Sequence, residues 1–253
     1  MVTRRAFHVW LRNFAVYRSY YKPSLVGNLG EPLLYLFAMG FGIGAYITDI
    51  KGMRYMEFIA PGLIVTSSMY SAVFECTFGS YTRMTIQRTY ESIISTPVSL
   101  QDLVAGEILW GMTKSVISAA VMIFIMTLFG LYTPSVSIVG IMVTVAFTGL
   151  VFAGGAMCFS ALAPSYEFFN YFFTLFIAPM FFLSGVFFPL DPFPPAVQWL
   201  SLAMPATHSV NLIRHFFHGG DGNGLLMAAL FLVTATAVFG VLAERLVRRR
   251  IIV

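Results

Sequence analysis

The stretch VSIVGIMVTVAFTGLVFAGGAMCFSAL, from Val136 to Leu162, contains no charged residue. As a helix it is long enough to cross the hydrocarbon core of a bilayer, which takes about 20 apolar residues. The runs of this chain do not alternate between apolar and polar residues as strands of a lipid-facing barrel do. They predict an all-α polytopic membrane protein with six transmembrane helices. The other five runs are Pro32–Thr48, Phe58–Tyr81, Leu103–Leu131, Phe168–Phe188 and Leu225–Glu244.

The composition of the 253 residues points to the same class. Hydrophobic residues make up 58% of the chain and charged residues 10%, with a mean hydropathy of +0.81. An average soluble domain is about 25% charged, so this chain has too few polar residues to cover a water-soluble globule. Six spans with short connections leave room for one transmembrane domain over residues 1–253.

The distribution of Lys and Arg predicts the orientation of the spans. If the N-terminus is cytoplasmic, eleven of the fifteen cations fall in cytoplasmic segments. Only Lys51, Arg54 and Arg214 fall outside, and Lys114 lies within the third span. Because short cytoplasmic connections are enriched in Lys and Arg, we expect both termini in the cytoplasm.

Residues 1–22 are predicted to form an amphipathic interfacial helix. No apolar stretch of the length found in signal peptides precedes a small-residue cleavage site, so the segment is not a cleavable signal. We expect its basic face to meet anionic headgroups on the cytoplasmic surface. An irregular basic tail is the alternative. The polar face would carry Arg4, His8, Arg12, Ser19 and Lys22, and the apolar face Phe7, Trp10, Leu11 and Phe14.

The cytoplasmic loop over residues 84–102 has a helical pattern of its own. Its apolar residues recur at helical spacing, and Pro97 is expected to end the helix because the residue before a proline disfavours α geometry. Ser99 and Asp102 resemble a capping box at the start of the third span. Such a short amphipathic helix needs a surface to dock on, either the membrane or a partner protein.

Four ionisable residues lie within the apolar runs or at their edges, where a charge costs several kcal/mol unless it is paired or hydrated. Glu107 and Lys114 are seven residues apart and share a helix face, and their depth predicts a contact between Glu75 and Lys114. These residues either fix helix packing or line a substrate path. The four are Glu31, Glu75, Glu107 and Lys114.

The external segment over residues 189–220 is broken by prolines, yet residues 197–204 and 209–217 keep an apolar helical pattern. Both pieces are too short to span a bilayer. We expect two short, half-embedded helices in a re-entrant arrangement, which is tolerated against protein or a wet cavity. The residues singled out in this segment are Pro189, Asp191, Trp199, Pro205, His208 and Arg214.

Aromatic residues crowd the start of the fifth run, where Phe169, Phe172 and Phe173 are candidates to contact a sugar ring or an acyl chain. Packing against lipid and neighbouring helices is the alternative.

No catalytic, cofactor or metal site is indicated. A Walker A loop requires G-x-x-x-x-G-K-[ST], and the only Lys followed by Ser or Thr, Lys114, is preceded by Thr113 where glycine is needed. His215 and His218 are three residues apart, but too few further ligands accompany them for a metal site to be expected.

Five blocks of the sequence carry a resemblance to a known family, and it covers nearly the whole chain. On these blocks the chain resembles the permease subunits of ABC-2 type exporters, and among them it looks closest to permeases of nodulation lipo-oligosaccharide exporters. The second, fourth and fifth blocks are the ones specific to the exporters. The blocks are GNLGEPLLYLFAMGFGIGA (Gly27–Ala45), QRTYESIISTPVSLQDLVAGEILW (Gln87–Trp110), ALAPSYEFFNYFFT (Ala161–Thr174), FLSGVFFP (Phe182–Pro189) and HSVNLIR (His208–Arg214).

The resemblance implies a permease that works as a homodimer with two copies of a separate ABC ATPase, which binds the ATP and Mg. It places the chain in the bacterial inner membrane, in contact with lipid and not with nucleic acid. The loop helix, at about Thr85–Thr96, becomes a coupling helix that docks in a groove of the ATPase. The coupling residues implied are Arg88, Tyr90, Glu91, Ser92, Thr96 and Pro97.

The implied cargo is an amphiphile, a lipidated or lipid-linked oligosaccharide that moves outward from the inner leaflet. A drug or antibiotic efflux permease shares the fold and is the first alternative. A secondary transporter acting alone is the second, although the sequence has no evident half-to-half repeat of the kind common in such proteins.

Overall fold

The computed structural model describes residues 3–47, 49–50, 52–219, 222 and 224–251, without the side chains of Asn28, Leu29 and Glu31. This part of the chain is helical and contains no strand beyond one isolated bridge between Ile50 and Met53. The α-helices are α1 (Arg5–Phe37), α2 (Tyr55–Phe74), α3 (Thr89–Ile94), α4 (Leu100–Leu128), α5 (Ser137–Leu162), α6 (Phe168–Phe172), α7 (Ala178–Leu183), α8 (Pro195–Leu202), α9 (Pro205–His218) and α10 (Leu225–Ile251).

The helices confirm the predicted all-α membrane fold. In the described part, five helical stretches are long and apolar enough to cross a membrane: Arg5–Ala45, Tyr55–Ile86, Leu100–Leu128, Ser137–Leu162 and Leu225–Ile251. The predicted fifth span is a shorter apolar helix, Phe168–Leu183, built from α6, a π-helical turn and α7. It ends before Phe188 because the chain turns at Gly185, whose φ of +75° suits glycine.

The predicted interfacial helix and the first span are one element, α1, interrupted at Tyr20, where φ is −130° and ψ is 20°. Two residues of its predicted apolar face, Phe7 and Leu11, are 54% and 40% exposed, so contact of this face with the membrane stays a prediction. A different face of α1 packs on α4 and carries Ala6, Val9, Asn13 and Tyr17, all buried.

Gly106 on α4 explains why this face of α1 is the one that is buried. A Cβ built at Gly106 would lie 2.6 Å from the Cβ of Val9 and 2.7 Å from the carbonyl oxygen of Ala6. Only a residue without a side chain lets the two backbones approach this closely, so the small residues of α1 face α4. The larger Phe7 and Leu11 are left pointing outward.

Helix α2 forms the centre of the bundle, in contact with α1, α4, α5 and α9, and most of its side chains are buried. Helix α10 packs mainly on α5 and α9. The core is therefore assembled around α2, which continues past Phe74 through two π-helical turns, Glu75–Gly79 and Thr82–Ile86.

The N-terminal segment contacts the start of α4, and the C-terminal end of α10 contacts the end of α5. Both contacts lie at the same end of the bundle, called here the terminal side. The backbone N–H of Thr3 donates to Asp102 at 2.5 Å, and the Arg250 guanidinium donates to the carbonyls of Ser160, Ala161 and Ala163 at 3.0, 3.0 and 2.6 Å. The last three bonds satisfy carbonyl groups that the end of α5 leaves without helical partners. The segments around α8 and α9 lie at the other end, the opposite side.

Candidate functional site

A short helix, α3, lies exposed on the terminal side, where the sequence predicts a coupling helix. It covers Thr89–Ile94 and is shorter than the predicted Thr85–Thr96. The difference arises because residues up to Ile86 continue the second span, and Arg88 then takes a left-handed conformation with φ of 49°. A non-glycine residue in this conformation separates the two helices sharply.

Tyr90 of α3 faces inward and Ile93 and Ile94 pack partly against the core, whereas Glu91 and Ser92 face outward. Tyr90 is fully buried in the core, and burial together with the nearby Glu107 carboxylate raises the pKa of its phenol well above the usual range. Tyr90 therefore anchors the helix and is neutral at physiological pH. The remaining predicted coupling residues are exposed: Arg88, Glu91, Ser92, Thr96 and Pro97. A cavity of about 220 Å³ beside them is lined by Met84, Thr85, Arg88, Tyr90, Glu91, Arg250 and Ile251.

Beneath α3 lies a buried cluster of two acids and two bases, called here the charge cluster: Glu75, Arg83, Glu107 and Lys114. The predicted contact is confirmed, with Lys114 Nζ 3.0 Å from Glu75 Oε2. Arg83 joins the two acids, at 2.8 Å from Glu75 Oε1 and 2.6 Å from Glu107 Oε2. Equal numbers of opposite charges make the cluster neutral overall, which is the condition for burying such groups.

The charge cluster ties three helices together. Asn13 of α1 donates to Glu107 at 3.0 Å, and Ser80 donates to the same carboxylate at 3.1 Å. Lys114 of α4 donates to Ser24 of α1 at 2.9 Å. The arrangement therefore joins α1 and α4 to the extension of α2. Glu31, the fourth charge predicted for the spans, lies on α1, and its side chain is outside the described residues.

Arg83 was not predicted as a member of this cluster, because it lies just beyond the predicted span Phe58–Tyr81 and counts there among the cytoplasmic cations. The signal was present in the spacing, since Glu75, Gly79 and Arg83 recur at four-residue steps on one helix face. A Cβ built at Gly79 would lie 2.9 Å from Glu75 Oε1 and 3.3 Å from Arg83 Nη1. The glycine thus leaves the space in which the two side chains meet.

The three aromatic candidates of the fifth run face the interior of the chain. Phe169 packs with Tyr81, Phe172 stacks on Phe159 with ring centroids 4.1 Å apart, and Phe173 contacts Phe74. All three side chains thus take part in packing between helices, and their contact with a cargo stays a prediction. The exposed side chains of this helix are others, among them Tyr171, Leu175, Phe176 and Phe182.

The opposite side contains the two short helices that the sequence predicts, α8 and α9, with Pro205 at the first position of α9. Asp191 and Trp199 are exposed, and Trp199 is 74% accessible. His208 is buried, with Nε2 2.8 Å from the carbonyl oxygen of Leu202 and its ring stacked on Phe231. Pro189 and Arg214 border the same cavity of about 240 Å³.

Comparisons with known proteins place the chain in a family of transporters. Residues 4–218 match the family described as ABC-2 type transporter. The chain is 38% identical to nodulation protein J of Rhizobium meliloti (strain 1021) over 96% of this chain and 92% of the relative, and 36% identical to nodulation protein J of Sinorhizobium fredii over 96% and 93%. It is 25% identical to the inner membrane transport permease YadH of Escherichia coli K12 over 95% of this chain and 93% of that protein.

Proposed function

The chain belongs to the ABC-2 type transporter family, as a multi-pass membrane permease, and from this premise we propose that it is the transport subunit of an ATP-driven exporter. A separate ATPase supplies the energy and docks on the exposed face of α3. The observation that carries this proposal is the position of α3, outside the bundle on the terminal side yet anchored by one buried residue.

The charges of α3 suit a protein partner. Arg88 and Glu91 are exposed three residues apart, with Ser92 beside them, so the face offers one cation, one anion and a hydroxyl. A groove with complementary charges would fix the register of docking. Because Tyr90 belongs to α3, a displacement of α3 moves its buried side chain, which lies near Glu107 of the charge cluster. Closure of the ATPase dimer would thereby shift α1, α2 and α4 together.

The proposed assembly contains two copies of this chain and two ATPase subunits in the bacterial inner membrane. Residues for binding ATP and Mg belong to the ATPase, since this sequence lacks a Walker A motif. The inner-membrane assignment draws on the relative from Escherichia coli, whose name states that location. On this orientation the terminal side is cytoplasmic, as the distribution of Lys and Arg predicts.

The proposed cargo is a lipidated or lipid-linked oligosaccharide, moved outward. The nodulation proteins J match 96% of this chain, and the resemblance to lipo-oligosaccharide exporters extends over nearly the whole chain. The exposed aromatic and aliphatic side chains of the helix Phe168–Leu183 offer an apolar surface for an acyl chain between two permease copies. Tyr171 and Leu175, four residues apart, lie on one face of that surface.

The docking proposal is tested by measuring ATP hydrolysis of an ABC ATPase that co-purifies with the permease, with both proteins in lipid nanodiscs. We expect Glu91→Arg to lower permease-dependent hydrolysis at least about tenfold, because a reversed charge in a docking face opposes the partner. Asp49→Arg makes the same exchange on an exposed residue away from α3 and should leave hydrolysis unchanged. Equal activity of both variants would move the docking surface elsewhere.

The cargo proposal is tested in the same nanodiscs with a panel of lipo-oligosaccharides, the same oligosaccharides without acyl chains, and cationic drugs. We expect stimulation of hydrolysis by the acylated compounds only. Stimulation by the drugs alone would identify an efflux permease. Transport without any ATPase would contradict the exporter assignment itself.

A further inference from the structure

Arg214 of α9 is a largely buried cation, and no carboxylate of the described residues pairs with it. Its Nη2 donates to the carbonyl oxygen of Gly185 at 2.8 Å, and the guanidinium carbon lies 4.3 Å from the ring centroid of Phe58. Its Nε is buried without a hydrogen-bond partner. Among the residues that the structure describes, no acidic oxygen comes within 4 Å of it. A buried charge in this state favours binding of an anion.

Two cavities meet at Arg214 on the opposite side. The larger, about 380 Å³, is called here the outer cavity, and the smaller measures about 240 Å³. Arg214 and Asn211 line both. The smaller cavity also has Asp191 in its wall, whereas the described wall of the outer cavity contains no acid. The outer cavity is lined by Leu202, His208, Asn211, Arg214, His215, Gly219, Gly224, Leu225, Met227 and Ala228.

The polar groups of the outer cavity are predominantly hydrogen-bond donors or groups that can donate. Arg214 brings a planar guanidinium, which matches phosphate and carboxylate oxygens in geometry. Asn211 adds an exposed amide, and the Nδ1 atom of His215 is buried without a partner. Three such groups around one space, without a competing carboxylate in the described wall, select an oxygen-rich anion.

The rim of the outer cavity is apolar. Leu202 is 48% exposed and Met227 is 74% exposed at its edge. A small inorganic ion has no hydrocarbon to pack against such a rim. An amphiphile could place its anionic group in the cavity and its hydrocarbon against the rim. The chemistry of the rim therefore favours a lipid-like ligand over a free ion.

We propose that the outer cavity binds the anionic oxygen-bearing group of an amphiphile, such as a phosphate or sulfate ester, with Arg214 as the principal contact and Asn211 beside it. The amphiphile is either an anionic membrane lipid or an anionic form of the cargo on its way out. Binding at this site requires neither ATP nor the ATPase. A negative binding result would therefore leave the proposed exporter function intact, and loss of the exporter function would not abolish binding.

The experiment measures ligands retained by the purified permease in native mass spectrometry, with phosphatidylglycerol and phosphatidylcholine offered in equal amounts. We expect preferential retention of phosphatidylglycerol, and displacement of it by a sulfated or phosphorylated lipo-oligosaccharide if the cargo uses the same site. Inorganic phosphate serves as the third probe. Retention of phosphate alone, without either amphiphile, would overturn the proposal of a lipid-like ligand.

Asn211→Asp is the decisive variant, because it introduces a negative charge into the cavity with almost no change of shape. We expect about a tenfold or larger loss of affinity for the anionic ligand. Asn170→Asp makes the same exchange at an exposed residue of α6, away from both cavities, and should bind like the natural protein. Arg214→Lys, which keeps the charge but loses the planar fork, should weaken binding less than Asn211→Asp. Equal retention by the natural protein and Asn211→Asp would overturn the site.

Discussion

Carboxylates pair with both cations of the charge cluster on the terminal side, whereas no described carboxylate pairs with Arg214 on the opposite side. Arg83 has two carboxylates within 2.8 Å, whereas Arg214 contacts a carbonyl oxygen and an aromatic ring. Both guanidinium groups are removed from water to a large extent. Each guanidinium borders a cavity, but Arg83 belongs to a neutral arrangement, whereas the described wall of the outer cavity beside Arg214 contains no acid.

This difference separates a structural role from a binding role. Pairing of all four charges in the charge cluster leaves no net charge to attract an anion, and the cluster joins α1, α2 and α4. A buried cation without a described carboxylate partner lowers its free energy by binding an anion, and it joins no second helix through an ion pair. The two sites should therefore respond in opposite ways to mutation and to added anions.

The largest effect is expected from Glu107→Leu. The substitution removes the ion pair to Arg83 and the acceptor for Asn13 and Ser80, and it leaves Arg83 with a single carboxylate. Breaking a buried ion pair from one side costs about 3–5 kcal/mol. The measurement is the Tm of the detergent-purified permease. Glu244→Leu, which breaks the solvent-accessible pair with Arg248, should cost at most about 1 kcal/mol, and equal losses would contradict the comparison.

A smaller effect is expected from the charge swap Glu75→Lys with Lys114→Glu. If the two residues formed an isolated pair, the swap would restore the stability that each single change removes. Because Glu75 also pairs with Arg83, the new Lys at position 75 would face a like charge. We expect partial rescue, with a residual loss of about 2 kcal/mol in thermal unfolding. Complete rescue would show that Arg83 does not share Glu75.

The smallest effect on stability is expected from Arg214→Gln in the absence of added anions. The change removes one hydrogen bond and one cation–π contact, and it also removes the cost of burying an unpaired charge. These contributions oppose each other, so the free energy of unfolding should change by less than about 1 kcal/mol. A loss as large as that of Glu107→Leu, measured by the same thermal unfolding, would assign Arg214 a structural role.

The sequence was sufficient for the helical class, for most span boundaries and for the pair of Glu75 and Lys114. These features follow from apolar length and from the cost of charge in hydrocarbon, both of which act along a single helix. The start of α4 also follows locally, since Ser99 Oγ accepts from the backbone N–H of Asp102 at 3.1 Å, as the capping pattern predicts.

The features that the sequence did not predict depend on contacts between helices. The buried face of α1 is chosen by Gly106 on α4, 97 positions beyond Val9, and no periodicity in α1 itself indicates it. The extension of α2 through π-helical turns brings Arg83 inward, although its position suggested a cytoplasmic loop. The absence of a carboxylate near Arg214 within the described residues is likewise a property of the packed chain.

The most direct test of the account compares the Tm of the natural protein, Arg83→Gln and Arg214→Gln, with and without phosphatidylglycerol at matched ionic strength. We predict that the lipid raises the Tm of the natural protein, because a ligand that binds the folded state stabilises it. Arg83→Gln should unfold at a much lower temperature yet keep the increase. Arg214→Gln should unfold near the natural protein and lose the increase. An undiminished increase in Arg214→Gln would contradict the account.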